Sequence, residues 1–144
     1  MGQAARARYR CGLEPGLMDN TSEKKAIVIV EDNEPIAELI KDLLNAEPDY
    51  QAVAVHDAAL ALNTIRSVRA SLILMDVNLP GMDGLQLYDM LQEDPDLRAI
   101  PVLFVTANSE SADFRKRDLT NYIAKPFNLD ELLTRVAEVC RKGQ

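Results

Sequence analysis

The stretch Leu72-Ile73-Leu74-Met75-Asp76-Val77-Asn78-Leu79-Pro80-Gly81-Met82-Asp83-Gly84 decides how the chain is read. Four apolar residues run without alternation, as in a strand buried on both faces. The run stops at an acid, Asp76. A loop from Asn78 to Gly84 follows, and its glycines permit the positive φ of a sharp turn. Asp83 reads as a turn or capping residue. Beyond it Leu87, Met90 and Leu91 mark a helix, closed by Asp94-Pro95. Strand, reactive side chain, tight loop and helix make one βα unit.

The same texture extends in both directions. Upstream, Ala26-Ile27-Val28-Ile29-Val30 is a β-branched run that ends at Glu31-Asp32. Ile36, Leu39, Ile40, Leu43 and Leu44 then recur at helical spacing. Asn33 is placed to cap that helix, with Pro35 in its first turn. Val53 and Val55 alternate in a second strand, and Ala58, Ala61, Leu62, Ile65 and Val68 mark a second helix. Downstream, Val102 to Val105 forms a fourth strand ending at Thr106, and a weak helix follows around Ser109 to Lys116. Tyr122-Ile123-Ala124 is a fifth strand ending at Lys125. Leu129, Leu132, Leu133, Val136 and Val139 stripe the last helix. Five βα units imply the α/β class, a parallel sheet with helices on both faces.

At 144 residues the chain is the size of one domain. Cys11 and Cys140 stand at opposite ends and make no disulfide framework, so a cytoplasmic setting is expected. No apolar run is long enough to span a membrane, and no apolar block follows Arg6, Arg8 and Arg10 as a secretory signal requires. Net charge is −7. Residues 1 to 18 hold three arginines and one glutamate, a net +2, so residues 19 to 144 carry −9. An acidic body argues against nucleic-acid binding. Residues 1 to 24 lack periodicity and are expected to be a flexible tail. Met18 would also serve as a start, which would make the first 17 residues an upstream extension.

In sheets of this class, ligands bind at the carboxyl ends of the strands. Here those ends carry Glu31-Asp32, Asp76, Thr106 and Lys125. A strand commonly ends in a polar residue, so each alone says little. Together, three acids, a hydroxyl and a lysine converge on one edge. Clustered carboxylates repel, so they raise a pKa or recruit a cation. Hard oxygen donors without His or Cys select Mg²⁺. With a lysine and a hydroxyl beside them they suit phosphoryl transfer, which asks mainly for positioning and charge neutralisation. His56, the single histidine, and the Arg115-Lys116-Arg117 cluster read as a strand-end residue and a solvated helix face.

Four signatures in order carry a family resemblance: Ile29-Val30-Glu31-Asp32-Asn33, Leu74 to Gly84, Val105-Thr106-Ala107 and Lys125-Pro126-Phe127. Over about residues 25 to 142 the chain resembles the receiver domains of response regulators, of the single-domain type. The resemblance implies the flavodoxin-like (βα)5 fold with strand order 2-1-3-4-5 and a role in two-component or phosphorelay signalling. It implies Asp76 as the phosphoacceptor, taking its phosphoryl group from a histidine kinase or histidine phosphotransfer protein. It implies Mg²⁺ held by Glu31, Asp32, Asp76 and the backbone carbonyl of Asn78. Lys125 and Thr106 would bind the phosphoryl group, and Tyr122 would change rotamer as Thr106 moves inward. A cis Lys125-Pro126 peptide is implied as well. On this reading the chain is a phosphoacceptor rather than an enzyme of other substrates, a monomer or weak dimer. No output domain follows Gln144, so signalling through protein contacts is expected. Pro35, Ile36, Ile40, Pro126 and Phe127 are the kinase-contact candidates.

The chain departs from the family pattern between Thr106 and Lys125. That interval is short, and Asp118-Leu119-Thr120-Asn121 replaces the usual Gly-Ala before the fifth strand. A fourth helix of at most about two to three turns is expected, below the roughly three-turn mean. Asn78 and Asn108 flank the path of an attacking water, which predicts fairly quick self-dephosphorylation. Two other functions compete. An aspartate-based Mg²⁺ phosphatase wants a second aspartate where Asn78 stands. A flavodoxin-like cofactor binder wants a Gly/Ser/Thr-rich phosphate loop where Glu31 and Asp32 stand.

Overall fold

The computed structural model describes residues 24–79, 81–107, 112–116 and 121–142. The tail expected before Lys24, the alternative start at Met18, Cys11, Asn108 and Arg117 lie outside the described residues. The strands are β1 (Lys25–Val30), β2 (Tyr50–Val55), β3 (Leu72–Met75), β4 (Val102–Thr106) and β5 (Tyr122–Ala124). The helices are α1 (Glu34–Asn45), α2 (Ala58–Val68), α3 (Gly84–Glu93), α4 (Ala112–Lys116) and α5 (Leu129–Lys142). All strand pairs are parallel, in the order β2-β1-β3-β4-β5. This is the doubly wound order the resemblance implied.

Side-chain alternation along the strands divides the interior into two layers. Val28, Val30, Ile73, Met75 and Phe104 face Ala58, Ala61 and Ile65 of α2 and Leu87 and Leu91 of α3. Ile27, Ile29, Leu72, Leu74, Leu103, Val105 and Ile123 face Ile40 and Leu44 of α1 and Leu132, Val136, Val139 and Cys140 of α5. Each fully buried aliphatic side chain contributes about 1.5–3 kcal/mol relative to exposure. Cys140 is a free, buried thiol. No helix among the described residues is long and apolar enough to cross a membrane.

Helix caps set where each strand hands over to its helix. Asn33 accepts the Ile36 N–H at 3.2 Å, and Asp57 accepts the Leu60 N–H at 2.8 Å. Asp83 accepts the Gln86 N–H at 2.8 Å while Gln86 accepts the Asp83 N–H at 3.1 Å, a reciprocal capping box. Each orphan amide so satisfied contributes on the order of 1 kcal/mol. The loops after β1, β2 and β3 are therefore pinned at both ends.

Three apolar positions differ from the sequence reading. Leu39 and Met90 are 52% and 40% exposed, and Val53 is 36% exposed. An apolar stripe covers only part of a helix, so Ala37, Ile40 and Leu44 take the buried face of α1 and Leu39 turns out. Val53 lies on an edge strand, whose buried residue is Ala52. Among the described residues α4 covers Ala112–Lys116, with Phe114 as its buried anchor. Arg115 and Lys116 are exposed, as a solvated face should be.

The two loop glycines serve different ends. Gly81 has φ +83°, as the turn reading required. Gly84 does not have positive φ; its requirement is space. A Cβ there would sit 2.2 Å from the Asp76 carbonyl oxygen and 3.0 Å from Val77 Cα, both backbone atoms of the strand end. The α3 start packs directly on the chain beside Asp76, with the Gly84 N–H donating to the Val77 carbonyl at 2.6 Å. Gly84→Ala is thus expected to lower unfolding free energy by about 2–3 kcal/mol. Gly81→Ala should cost about 1 kcal/mol, because open space surrounds it and only φ is strained. Urea unfolding of both variants checks the order.

Candidate functional site

The sheet ladder runs one residue past the strands and fixes the backbone of each strand-end residue. The Glu31 N–H donates to Val55 O at 3.0 Å, and the Asp76 N–H donates to Val30 O at 3.1 Å. The Lys125 N–H donates to Thr106 O at 2.9 Å. Three chemically active residues are thereby held at one edge by main-chain bonds. Lys125-Pro126 is cis.

The side chains close on one another. The Lys125 ammonium donates to Asp76 Oδ2 at 2.9 Å and to Glu31 Oε1 at 3.4 Å. Asp76 Oδ1 accepts the Asn78 N–H at 3.0 Å. Glu31 Oε2 accepts the Asn33 N–H at 3.2 Å. Glu31, Asp32 and Asp76 each offer a carboxylate oxygen within 4.8 Å of the others. Glu31 and Asp76 are buried, and Asp32 is exposed at the mouth. Thr106 is fully buried at the end of β4, next to β5. Tyr122 is half-buried, and its ring meets the edge of Phe114 at 5.2 Å.

Charge is unbalanced in this pocket. Burial pushes the Glu31 carboxyl up to about 7, with repulsion from Asp76 adding to it. The Asn33 N–H and Lys125 oppose that rise without cancelling it. For Lys125, burial alone would lower the pKa. Its hydrogen bond to Asp76 and the attraction of Asp76 and Glu31 outweigh burial and raise it. One ammonium thus serves a cluster of three carboxyl groups. The remaining demand for positive charge, met by oxygen donors alone, fits a hard divalent ion such as Mg²⁺.

All the residues singled out at the strand ends arrive at this edge, Glu31, Asp32, Asp76, Asn78, Thr106 and Lys125 among them. Ile40 does not belong with the contact candidates. It is 2% exposed and packs in the core layer of α1 and α5, while its neighbour Leu39 turns outward. Two residues gain parts the sequence did not assign. His56 Nδ1 lies 3.0 Å from the Glu31 carbonyl oxygen, which follows from β2 lying next to β1. Phe114 joins Tyr122 to Phe104, and Phe104 in turn meets Tyr88 at 5.6 Å. A lone aromatic in a weak helix was the signal for it.

Fold and site together define a doubly wound α/β protein with a buried aspartate in an acidic pocket. A family model for the response regulator receiver domain matches residues 27–137. The polar-differentiation response regulator DivK of Brucella anthropi is 37% identical over 112 residues, 76% of this chain and 90% of that protein. The signal receiver domain of a signal transduction histidine kinase from Syntrophus aciditrophicus superposes with a TM-score of 0.74 at 32% identity, covering 82% of this chain and 91% of that one. The receiver domain of a sensor histidine kinase from Pseudomonas aeruginosa PAO1 has a TM-score of 0.73 at 27% identity, covering 82% and 98%. That structure is described with a magnesium ion coordinated in its active-site cleft. The chain belongs to the response regulator receiver family and carries a receiver domain of two-component signalling.

The raised Glu31 pKa gives a signed pH dependence. At pH below the carboxyl's ordinary value of 4.5, both folded and unfolded chains hold the proton. Between pH 4.5 and about 7 the unfolded chain releases it while the folded protein keeps it, so stability falls as pH rises. Above pH 7 this loss levels off. Glu31→Gln removes the titration. In metal-free buffer the variant should gain on the parent by on the order of 3 kcal/mol between pH 4.5 and 7.5. Urea midpoints of both proteins across that range provide the measurement, and parallel curves would contradict it.

Proposed function

We propose that the protein accepts a phosphoryl group on Asp76 from the phosphohistidine of a histidine kinase or histidine phosphotransfer protein, and signals by binding other proteins in the phosphorylated state. The observation that carries this reading is the pairing of buried Asp76 with Lys125 at 2.9 Å, beside Glu31 and Asp32. The receiver domain is taken as residues 25–142, and the setting as the cytoplasm.

An Asp76 carboxylate oxygen attacks phosphorus. The phosphorus–nitrogen bond of the donor breaks, and the imidazole leaves with the electron pair and takes up a proton. The product is an acyl phosphate. Lys125 moves its pairing from Asp76 Oδ2 to a phosphoryl oxygen, and the Thr106 hydroxyl donates to another. Glu31, Asp32, Asp76 and the backbone carbonyl of Asn78 would hold Mg²⁺, which when bound would supply charge neutralisation at the phosphoryl oxygens. Tyr122 responds to the movement of Thr106. Pro35, Ile36, Leu39, Pro126 and Phe127 offer kinase-facing surface.

The phosphatase reading gains nothing from the structure. Position 78 carries an exposed carboxamide where that chemistry wants an acid, and the Asn78 backbone N–H donates to Asp76 Oδ1. For the same reason the Asn78 carboxamide is free to orient water, which favours quick hydrolysis of the acyl phosphate.

Incubation with Mg²⁺ and acetyl phosphate, followed by intact mass spectrometry, tests the assignment. The parent should gain one phosphoryl group and Asp76→Asn none. A parent that binds Mg²⁺ but gains nothing, or an Asp76→Asn that gains as much, overturns it. Asn78→Leu should slow decay of the phosphorylated form several-fold, read from the same spectra over time. An unchanged decay rate removes Asn78 from the hydrolysis step.

A further inference from the structure

Both edges of the sheet carry main chain that faces away from the other strands, and at both a helix side chain reaches across to occupy it. β2 is one edge. The Lys25 N–H donates to Asp49 O at 2.9 Å and the Glu31 N–H to Val55 O at 3.0 Å, so Asp49 and Val55 turn their main chain to β1. Alternation then directs the main chain of Tyr50, Ala52 and Ala54 outward. At Ala52 the Asn45 carboxamide takes both groups. The Ala52 N–H donates to Asn45 Oδ1 at 2.8 Å, and Asn45 Nδ2 donates to the Ala52 carbonyl at 3.3 Å. That is the two-way pairing an added strand would make. At Tyr50 the N–H is turned back to Glu47 O at 3.5 Å. β5 is the other edge. The Phe104 N–H donates to Asn121 O and the Lys125 N–H to Thr106 O, so Tyr122 faces outward. Arg135 Nη1 donates to its carbonyl at 3.1 Å.

An edge strand is a template for pairing with another chain unless charge, proline or cover blocks it. β2, with sequence YQAVAV, contains neither charge nor proline, and Val53 is exposed. It is also longer than β5, six residues against three. We propose that Asn45 closes the β2 edge against a second copy of this chain, and that Arg135 does the same at β5. The second copy is the partner that fits, because a charge-free strand is self-complementary about a two-fold axis. With Ala52 occupied and the Tyr50 N–H turned back, Ala54 is the one outward-facing residue among those described that keeps both main-chain groups for pairing, too little for a ladder. Asn45 is the last residue of α1, so the helix that follows β1 also shields the sheet edge.

Sedimentation velocity of the parent, Asn45→Ala, and Asn45→Ala with Val53→Lys tests this, after circular dichroism has shown each to be folded. The average mass of Asn45→Ala should rise with concentration toward twice the parent's, where the parent's stays constant. Adding Val53→Lys should return it to the parent's value, because like charges then face each other across the two-fold junction. A folded Asn45→Ala with the parent's mass throughout overturns the proposal, as does association that Val53→Lys leaves unchanged. Hydrogen exchange on the unmodified protein needs no variant. The Ala52 N–H should exchange roughly tenfold or more slowly than the Ala54 N–H. Equal rates at the two amides overturn the proposal.

Discussion

Two buried carboxyl groups, Glu31 and Asp76, stand at the ends of adjacent strands, and the Lys125 ammonium lies within 3.4 and 2.9 Å of them. Unpaired charge inside a protein costs several kcal/mol per ion, so this contact is what makes the arrangement tolerable. It also ties β1, β3 and β5 together through side chains at the edge where no further strand residue can do so. Burial, with repulsion from Asp76 added, pushes the Glu31 carboxyl up to about 7, and one ammonium does not cancel that rise. The deficit of positive charge is therefore a property of the folded pocket. A divalent ion would relieve the carboxylates, and in the function proposed above a phosphoryl group would then engage the ammonium.

The rigidity of that pocket comes from below. Strand-end residues are held by ladder bonds that continue past β1, β3 and β5, and the two apolar layers leave those strands no room to shift. Above the strands, three side-chain caps pin the loops to their helices. Gly84 shows how tight the junction is, because α3 begins against the carbonyl of Asp76 itself. A change at the Asp76 side chain therefore meets backbone that does not yield and side chains that do.

The yielding part lies toward β4, β5 and α4. A row of rings runs from Tyr88 through Phe104 and Phe114 to Tyr122, with neighbouring centroids 5.2 to 5.6 Å apart. Edge-to-face contacts of this kind contribute about 0.5–1.5 kcal/mol each beyond burial. Phe114 is the buried anchor of α4 among the described residues. Movement of Tyr122 would thus be felt by α4 through a single ring.

Much of this was legible along the chain. Short apolar runs stopping at Glu31, Asp76, Thr106 and Lys125 specify buried strands and mark one sheet edge by chemistry. Asn33 and Asp83 announce helix starts because their side chains bond amides only three residues away. These signals are local, so one sequence suffices to read them. What the sequence left undecided is what depends on distant segments meeting. Leu39 or Ile40 could have faced the core, and packing against β1 and β2 chose Ile40. Gly84 gave no hint that the carbonyl of Asp76, eight positions earlier, would fill its missing side chain. His56 gained its place because β2 pairs with β1, and Phe114 because β4 and β5 flank it. The acidity of Glu31 is tertiary in the same way: the residue brings a carboxyl group, and only folding removes its water and sets Asp76 beside it.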